Sequence, residues 1–239
     1  MLNPDGTVRE VEGPLAAAHL LDGTAAARQI LAESKKLLAE RKKANRKLPG
    51  LAVVVVESPR ARVNIARLKK RVCDAAGIYC ELHLLSPLSV QAEVIALVEK
   101  LNADPKITGI NIHPLPPHLD YRAVVAAMDP AKDVEGVHPQ NLGGFLLWGE
   151  GCVPFTPRGV MKLIETTGLE IAGKRATVVG RSPHVGLPVA FLLMEHGAAV
   201  TIAHSRSRRL EEVTKKADIL VVATGHPEMI TGRMIKEGA

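Results

Sequence analysis

Ala176-Thr-Val-Val-Gly-Arg-Ser-Pro-His-Val-Gly186 is the stretch on which the fold turns. Residues 176–179 are apolar and β-branched and read as a strand. The chain then turns from Gly180 to Gly186, and Leu187-Pro188 starts a helix to residue 196. A strand that turns through glycines into a helix N-terminus presents free N–H groups to a phosphate. Gly180 permits the tight turn, and Gly186 the close approach of helix to strand. The middle glycine of G-x-G-x-x-G is absent, and Ser182 stands in its place. Taken alone the fingerprint is weak; the strand–turn–helix order around it gives it weight.

The next strand, 200–203, runs into His204-Ser-Arg-Ser-Arg-Arg209. An NAD site carries an acid at about 20 residues beyond the first glycine to hold the ribose 2′-OH. This loop has no acid and three arginines. Arg206 and Arg208 are suited to a 2′-phosphate, which favours NADP over NAD; the competing reading is an exposed basic loop. A helix at 210–216 follows. Residues 217–225 read as another buried strand ending at Gly225, where a turn can approach a nicotinamide or ribose.

The first half repeats the alternation. Asp22-Gly-Thr opens a helix at 25–43, broken by Pro49-Gly50. Residues 51–56 (Leu-Ala-Val-Val-Val-Val) form an apolar run that reads as a strand buried on both faces. Helix 60–76, strand 80–85, helix 89–101 with Ser89 as its cap, strand 108–113 and helix 120–128 complete the series. Residues 130–157, with Gly143-Gly144, read as a loop-rich stretch, and 158–167 as a connecting helix. Such alternation predicts right-handed βαβ units in parallel sheets. The expected class is α/β with two domains: a parallel-sheet α/β catalytic domain at 1–155 and a Rossmann-like NADP-binding domain at 156–239.

Composition narrows the function. Of 239 residues, 46% are hydrophobic and 23% charged, as in ordinary globular chains. No apolar run approaches the roughly 20 residues of a membrane span, and the N-terminal segment has no secretory pattern. The net charge of +6 suits anionic ligands, while 3% aromatics leaves few platforms for stacking bases, so nucleic acid is not an expected partner. Cys73, Cys80 and Cys152 form neither a disulfide framework nor a zinc pattern. They fit a reducing compartment, the cytoplasm or the mitochondrial matrix.

Several landmarks in order resemble the bifunctional methylenetetrahydrofolate dehydrogenase/methenyltetrahydrofolate cyclohydrolase family. They are Leu21-Asp-Gly, Pro114-Leu-Pro, Lys132-Asp-Val-Glu-Gly136, Phe155-Thr-Pro-Arg-Gly-Val160, Val179-Gly-Arg-Ser-Pro-His-Val-Gly-Leu-Pro188 and His204-Ser-Arg206. The resemblance implies two α/β domains with folate on the first and NADP on the second. It implies oxidation of 5,10-methylenetetrahydrofolate by hydride transfer, hydrolysis of the methenyl product to 10-formyltetrahydrofolate, and a homodimer. It places the catalytic lysine on Lys69. The tyrosine four residues before it becomes Ile65, which can cover a pterin but cannot donate a hydrogen bond. The glutamine that orients the lysine becomes His113, and one residue is missing before Pro114. The aspartate that holds the pterin becomes Glu135, with Pro114 and Leu115 as further substrate contacts and Asp133 holding the loop. Phe155 stands where cysteine is common. The cofactor residues are Gly180, Arg181, Ser182, Val185, Gly186, Ser205, Arg206, Arg208, Thr224 and Gly225; no metal is implied.

Family members continue past the position of Ala239 with a strand, a Gly-Ile-Asn turn and a Pro-Val-Pro-Gly-Gly-Val-Gly-Pro loop. The expectation is a shortened member: a fragment, a truncated product or a degenerate paralogue. Ile65, His113 and Glu135 keep a second reading in play, an impaired member that binds a dinucleotide or a protein partner. A two-domain dehydrogenase of hydroxy acids is a third, opposed by the Lys132–Gly136 loop.

Overall fold

The computed structural model describes residues 19–58 and 63–239. Two three-stranded parallel sheets organise it. The first is built from α1 (Gly23–Lys43), β1 (Gly50–Val56), α2 (Val63–Ala76), β2 (Tyr79–Leu85), α3 (Gln91–Ala103), β3 (Gly109–Ile112) and α4 (Tyr121–Ala126), with strand order β2-β1-β3. The second follows α5 (Pro139–Trp148) and α6 (Phe155–Glu165). It comprises β4 (Arg175–Val179), α7 (Gly186–Glu195), β5 (Ala199–Ala203), α8 (Leu210–Thr214) and β6 (Ile219–Val222), ordered β5-β4-β6.

β1 is central, and its run of valines is explained by its two covered faces. Ala52, Val54 and Val56 pack with Val94, Val98 and Val124 from α3 and α4. Val53 and Val55 pack on the opposite face with Ala66 and Cys73 of α2. Side chains alternate along a strand, so only an unbroken apolar run serves both layers. Each such valine contributes about 1.5–3 kcal/mol on burial. The second core gathers Val178, Val189, Leu193 and Met161 around Phe145, whose ring meets Phe191 edge-on at 5.0 Å.

Several expectations need correction. The loop-rich stretch at 130–157 contains a helix that the sequence pattern does not announce, since α5 occupies ten of its residues. Its start is set by His138, whose ring accepts from the Gln140 N–H, and by Pro139 in the first turn. Gly149, with φ of 67°, ends it. The two glycines inside it cost helix propensity, and Phe145 in the second core offsets them. The connecting helix begins at Phe155, ahead of residue 158, because Pro157 is tolerated in a first turn. Ser89 is not the cap of α3. The Val90 N–H donates instead to the Glu93 carboxylate at 3.1 Å, and the Ser89 carbonyl faces the His118 ring. The last strand stops at Val222, so Thr224 and Gly225 lie in a turn. The beginning of the helix expected at 60–76 and the N-terminal segment lie outside the described residues.

Candidate active site

The register of the first sheet assembles the substrate side. Val53 pairs with Asn111, so both side chains point to the layer that holds α2. Lys69 sits on α2 above them. Its Nζ donates to Asn111 Oδ1 at 2.5 Å and lies 3.4 Å from His113 Nε2. The Asn111 amide nitrogen in turn donates to a Glu135 carboxylate oxygen. The Phe155 ring, from the start of α6, covers the amine with its centroid 5.0 Å away.

Burial shifts all three titratable groups toward neutrality. Desolvation lowers Lys69, with Glu135 opposing. Desolvation raises Glu135 to about 7, against the pull of Lys69 and the Asn111 hydrogen bond, with Asp133 adding repulsion. His113, 5% exposed, is lowered to about 4 by desolvation and by the neighbouring amine. It is therefore a neutral imidazole near pH 7, and with its proton on Nδ1 its Nε2 can accept from Lys69.

Asp133 holds the loop that presents Glu135. Its carboxylate accepts from the N–H groups of Glu135, Gly136 and His138 at 2.8–3.0 Å and from the Asn141 amide at 3.0 Å. Gly136 must be glycine, because a Cβ there would sit 2.1 Å from the Cys152 carbonyl oxygen. Lys132, beside it, closes the last turn of α3 by donating to the Leu101 and Asp104 carbonyls, each at 2.9 Å.

A cavity of about 380 Å³ opens beside this cluster. Ile112, Pro114, Leu115, Tyr121, Glu135 and Val137 line it from the first unit. Pro154, Phe155, Thr156, His184 and Val185 line it from the other side. Tyr121 and His184 meet across it edge-on, with ring centroids 5.7 Å apart. The Tyr121 phenol is raised by desolvation and by the carboxylates of Glu135 and Asp133, so it stays a donor. Desolvation lowers His184. The size and largely apolar lining suit a flat heterocycle held by a few polar groups.

Of the expected substrate residues, Pro114, Leu115 and Glu135 line the cavity, and Lys69 and His113 stand behind Glu135 through Asn111. Ile65 is 37% exposed and not in the cavity wall, although it lies one turn before Lys69. Sequence reasoning missed Asn111, Tyr121 and His184 as site residues. A lone amide inside Gly-Ile-Asn-Ile was a signal for the first. For the second, the signal was that Tyr121 is one of 2 tyrosines in the chain.

On the cofactor side, β4 is followed by Gly180, whose φ of 132° and N–H to Ala203 carbonyl bond of 2.8 Å set the turn. Ser182 braces it: its Oγ accepts from the Val185 N–H at 3.2 Å, and its carbonyl from Leu187. A Cβ on Gly186 would lie 2.3 Å from the Gly180 carbonyl oxygen, and one on Gly180 would lie 2.5 Å from that of Ala223. The cradle is thus built at backbone contact, which fits a pyrophosphate lying against it. Arg181 is exposed at its rim. Ser205, Arg206 and Arg208 are exposed on the loop after β5, which is folded by the Ser207 hydroxyl accepting from His204 N–H and the His204 ring accepting from Arg206 N–H. Neither Arg206 nor Arg208 is in an ion pair among the described residues. Gly225, at φ 69°, and Thr224 form the turn after β6, at the same end of the sheet as Gly180.

A glycine turn at the carboxyl ends of one parallel sheet thus faces, across a shared cavity, a half-buried lysine and carboxylate joined by the buried Asn111 amide on another. That arrangement defines a two-domain α/β dinucleotide-binding enzyme. A family profile described as the catalytic domain of tetrahydrofolate dehydrogenase/cyclohydrolase matches residues 21–135, and that of its NAD(P)-binding domain matches 154–239. The chain belongs to the tetrahydrofolate dehydrogenase/cyclohydrolase family. It is 47% identical over 224 residues to the bifunctional protein FolD of Moorella thermoacetica, covering 93% of this chain and 79% of that protein. The FolD of Magnetococcus marinus is 44% identical over 93% of this chain and 78% of its own length. Among solved structures, the Campylobacter jejuni bifunctional FolD superposes with a TM-score of 0.87 at 33% identity, covering 91% of this chain and 78% of that one. The Trypanosoma brucei FolD, complexed with NADP and an inhibitor, gives 0.87 at 32% identity, covering 92% and 76%.

Proposed function

We propose that the chain oxidises 5,10-methylenetetrahydrofolate to the methenyl form with NADP and hydrolyses that product to 10-formyltetrahydrofolate. The observation that carries this is a cavity lined by both Glu135 of the first unit and Val185 of the turn after β4. Bound there, NADP supplies a hydride acceptor. Gly180, Arg181, Ser182, Val185 and Gly186 hold its pyrophosphate side. Arg206 and Arg208, with Ser205, take the 2′-phosphate, and Thr224 with Gly225 close the opposite wall.

Glu135 holds the amino and ring N–H groups of the pterin, and Pro114 and Leu115 pack on its face. The apolar wall from Phe155 and Leu115 excludes water from the reacting carbon during oxidation. Lys69 serves the second step. Burial lowers its pKa, enlarging the neutral fraction that can accept a proton. Water adds to the cationic carbon, and its proton passes to Lys69 Nζ. As the carbon–N5 bond breaks, that proton goes to N5, and the proton left on the added hydroxyl is released to solvent as the formyl carbonyl forms. His113, neutral and in contact with the amine, helps orient it. Ile65 contributes no polar contact to either step.

Followed by absorbance, the protein mixed with methylenetetrahydrofolate and NADP is expected to produce reduced cofactor and then consume the methenyl product. Lys69→Met is expected to lower the hydrolysis by on the order of 100-fold or more, and hydride transfer by less. Absence of both activities in a folded, unaltered protein would overturn the reading. An inert binding role finds no support in relatives that bear the names of bifunctional enzymes.

The same reading divides the chain into a folate-binding unit at 1–155 and a cofactor unit at 156–239. It also makes the chain a homodimer of the cytoplasm. The supports are the unpaired β5 edge with Ile202 at 39% exposure, and three free cysteines. No helix among the described residues is long and apolar enough to cross a membrane. Small-angle scattering reads both the paired mass and the two-lobed outline; a single-chain mass would remove the dimer.

A further inference from the structure

We propose that Asn111 is a positioning residue for the hydrolysis step: its amide, set between Lys69 and Glu135, orients the amine and keeps it from pairing directly with the carboxylate. This rests on the reading of Lys69 as the base. The amide is 4% exposed on β3, and each of its ends is engaged, Oδ1 by the Lys69 ammonium at 2.5 Å and Nδ2 by Glu135.

An amide is polar in one direction. In the observed orientation an acceptor meets a cation and a donor meets an anion. Flipped by 180°, a donor would face the ammonium and an acceptor the carboxylate, so both contacts would turn repulsive. The two charged groups therefore lock the amide, and the locked amide fixes both of them. Strand register supplies the anchor, since Asn111 is paired with the fully buried Val53.

The spacing has a chemical consequence. Lysine in direct contact with a carboxylate is held protonated and cannot act as a base. With an amide interposed, that pull weakens with distance while burial continues to favour the neutral amine. The groups that face Lys69 are Asn111 from β3, His113 just after it, Cys73 one turn along α2, Glu135 from the loop, and the Phe155 ring from α6; Asp133 acts on Glu135. Of these, Asn111 alone contacts both Lys69 and Glu135. Asparagine is uncharged at every pH, so it transmits orientation without adding a titration of its own.

The test uses the full chain and two variants. Asn111→Leu removes both hydrogen bonds. Asn111→Asp keeps the shape and places a charge against the amine. Hydrolysis and hydride transfer are measured from pH 6 to 9. Separately, acylation of Lys69 by acetic anhydride is followed across the same range by peptide mass spectrometry, with Lys70 as the neighbouring control. Asn111→Leu is expected to lower the hydrolysis kcat by about 10- to 100-fold, more than it lowers hydride transfer, and to move the Lys69 acylation midpoint to lower pH. Asn111→Asp is expected to move that midpoint to higher pH and to displace the hydrolysis profile with it. Lys70 should not move in either. Coincident Lys69 acylation curves in all three proteins would overturn the role of Asn111, as would unchanged hydrolysis in Asn111→Leu. If the unaltered protein turns over neither substrate, the functional reading falls and this role falls with it.

Discussion

His113, 3.4 Å from the Lys69 amine, and Glu135, linked to it through Asn111, tie stability to pH in opposite senses. Glu135 is raised to about 7, from an ordinary value of 4.5, by desolvation. The folded chain then holds a proton that the unfolded chain has lost, so stability falls as pH rises from about 4.5 to 7. His113 is lowered to about 4, from 6.5. The unfolded chain there binds the extra proton, so stability falls as pH drops from 6.5 to 4. The two slopes offset each other in the unaltered protein, and a substitution separates them. Glu135→Gln should be more stable than the parent at pH 8 by on the order of 2 kcal/mol, with the advantage gone near pH 4. Urea unfolding at pH 4, 6 and 8 measures this, and equal stability at pH 8 would contradict the burial of a charged carboxylate. In the sequence, Lys69 and Glu135 were legible through motif order. Their environment was not, because desolvation depends on what packs around a group and not on its neighbours in the chain.

The elements differ in how much of themselves they declare locally. β1 and β4 are readable, since a doubly buried strand needs an apolar run and nothing else does so in so few residues. α5 is not: Gly143-Gly144 argue against a helix, and the burial of Phe145 in the second core outweighs them. Where the backbone itself is the contact, the glycine is diagnostic. Gly186 packs its α-carbon so near the Gly180 carbonyl that a Cβ would lie 2.3 Å from the oxygen. Gly186→Ala must push the N-terminus of α7 away from the turn. We expect NADP affinity to fall at least about 10-fold, equivalent to roughly 1.4 kcal/mol, and the thermal midpoint to drop by several degrees. Calorimetric titration and a melting curve read both; unchanged affinity would mean that the turn does not carry the pyrophosphate.

At the scale of the molecule the cavity wall is shared, with Tyr121 and Glu135 on one side and His184 and Val185 on the other. Ligands that fill it bridge two separate cores, so each ordered partner favours the arrangement the other needs. NADP and a non-reactive folate analogue together should raise the melting temperature by more than the sum of their separate shifts, a difference that differential scanning calorimetry resolves. Strictly additive shifts would mean the two sites are not coupled through the cleft.

Two parallel-sheet units, the glycine turn after β4 and the basic loop after β5 were determined by the sequence alone, because strand burial, glycine turns and charge patterns are written in adjacent residues. Asn111 between Lys69 and Glu135, and Tyr121 against His184, were decided only by the tertiary structure. Lys69 and Asn111 are 42 positions apart, and Asn111 and Glu135 are 24. Their meeting depends on which strand lies beside which, in what register, and on how the two halves close over the cavity. Those are properties of packing at long separation, and no local pattern encodes them.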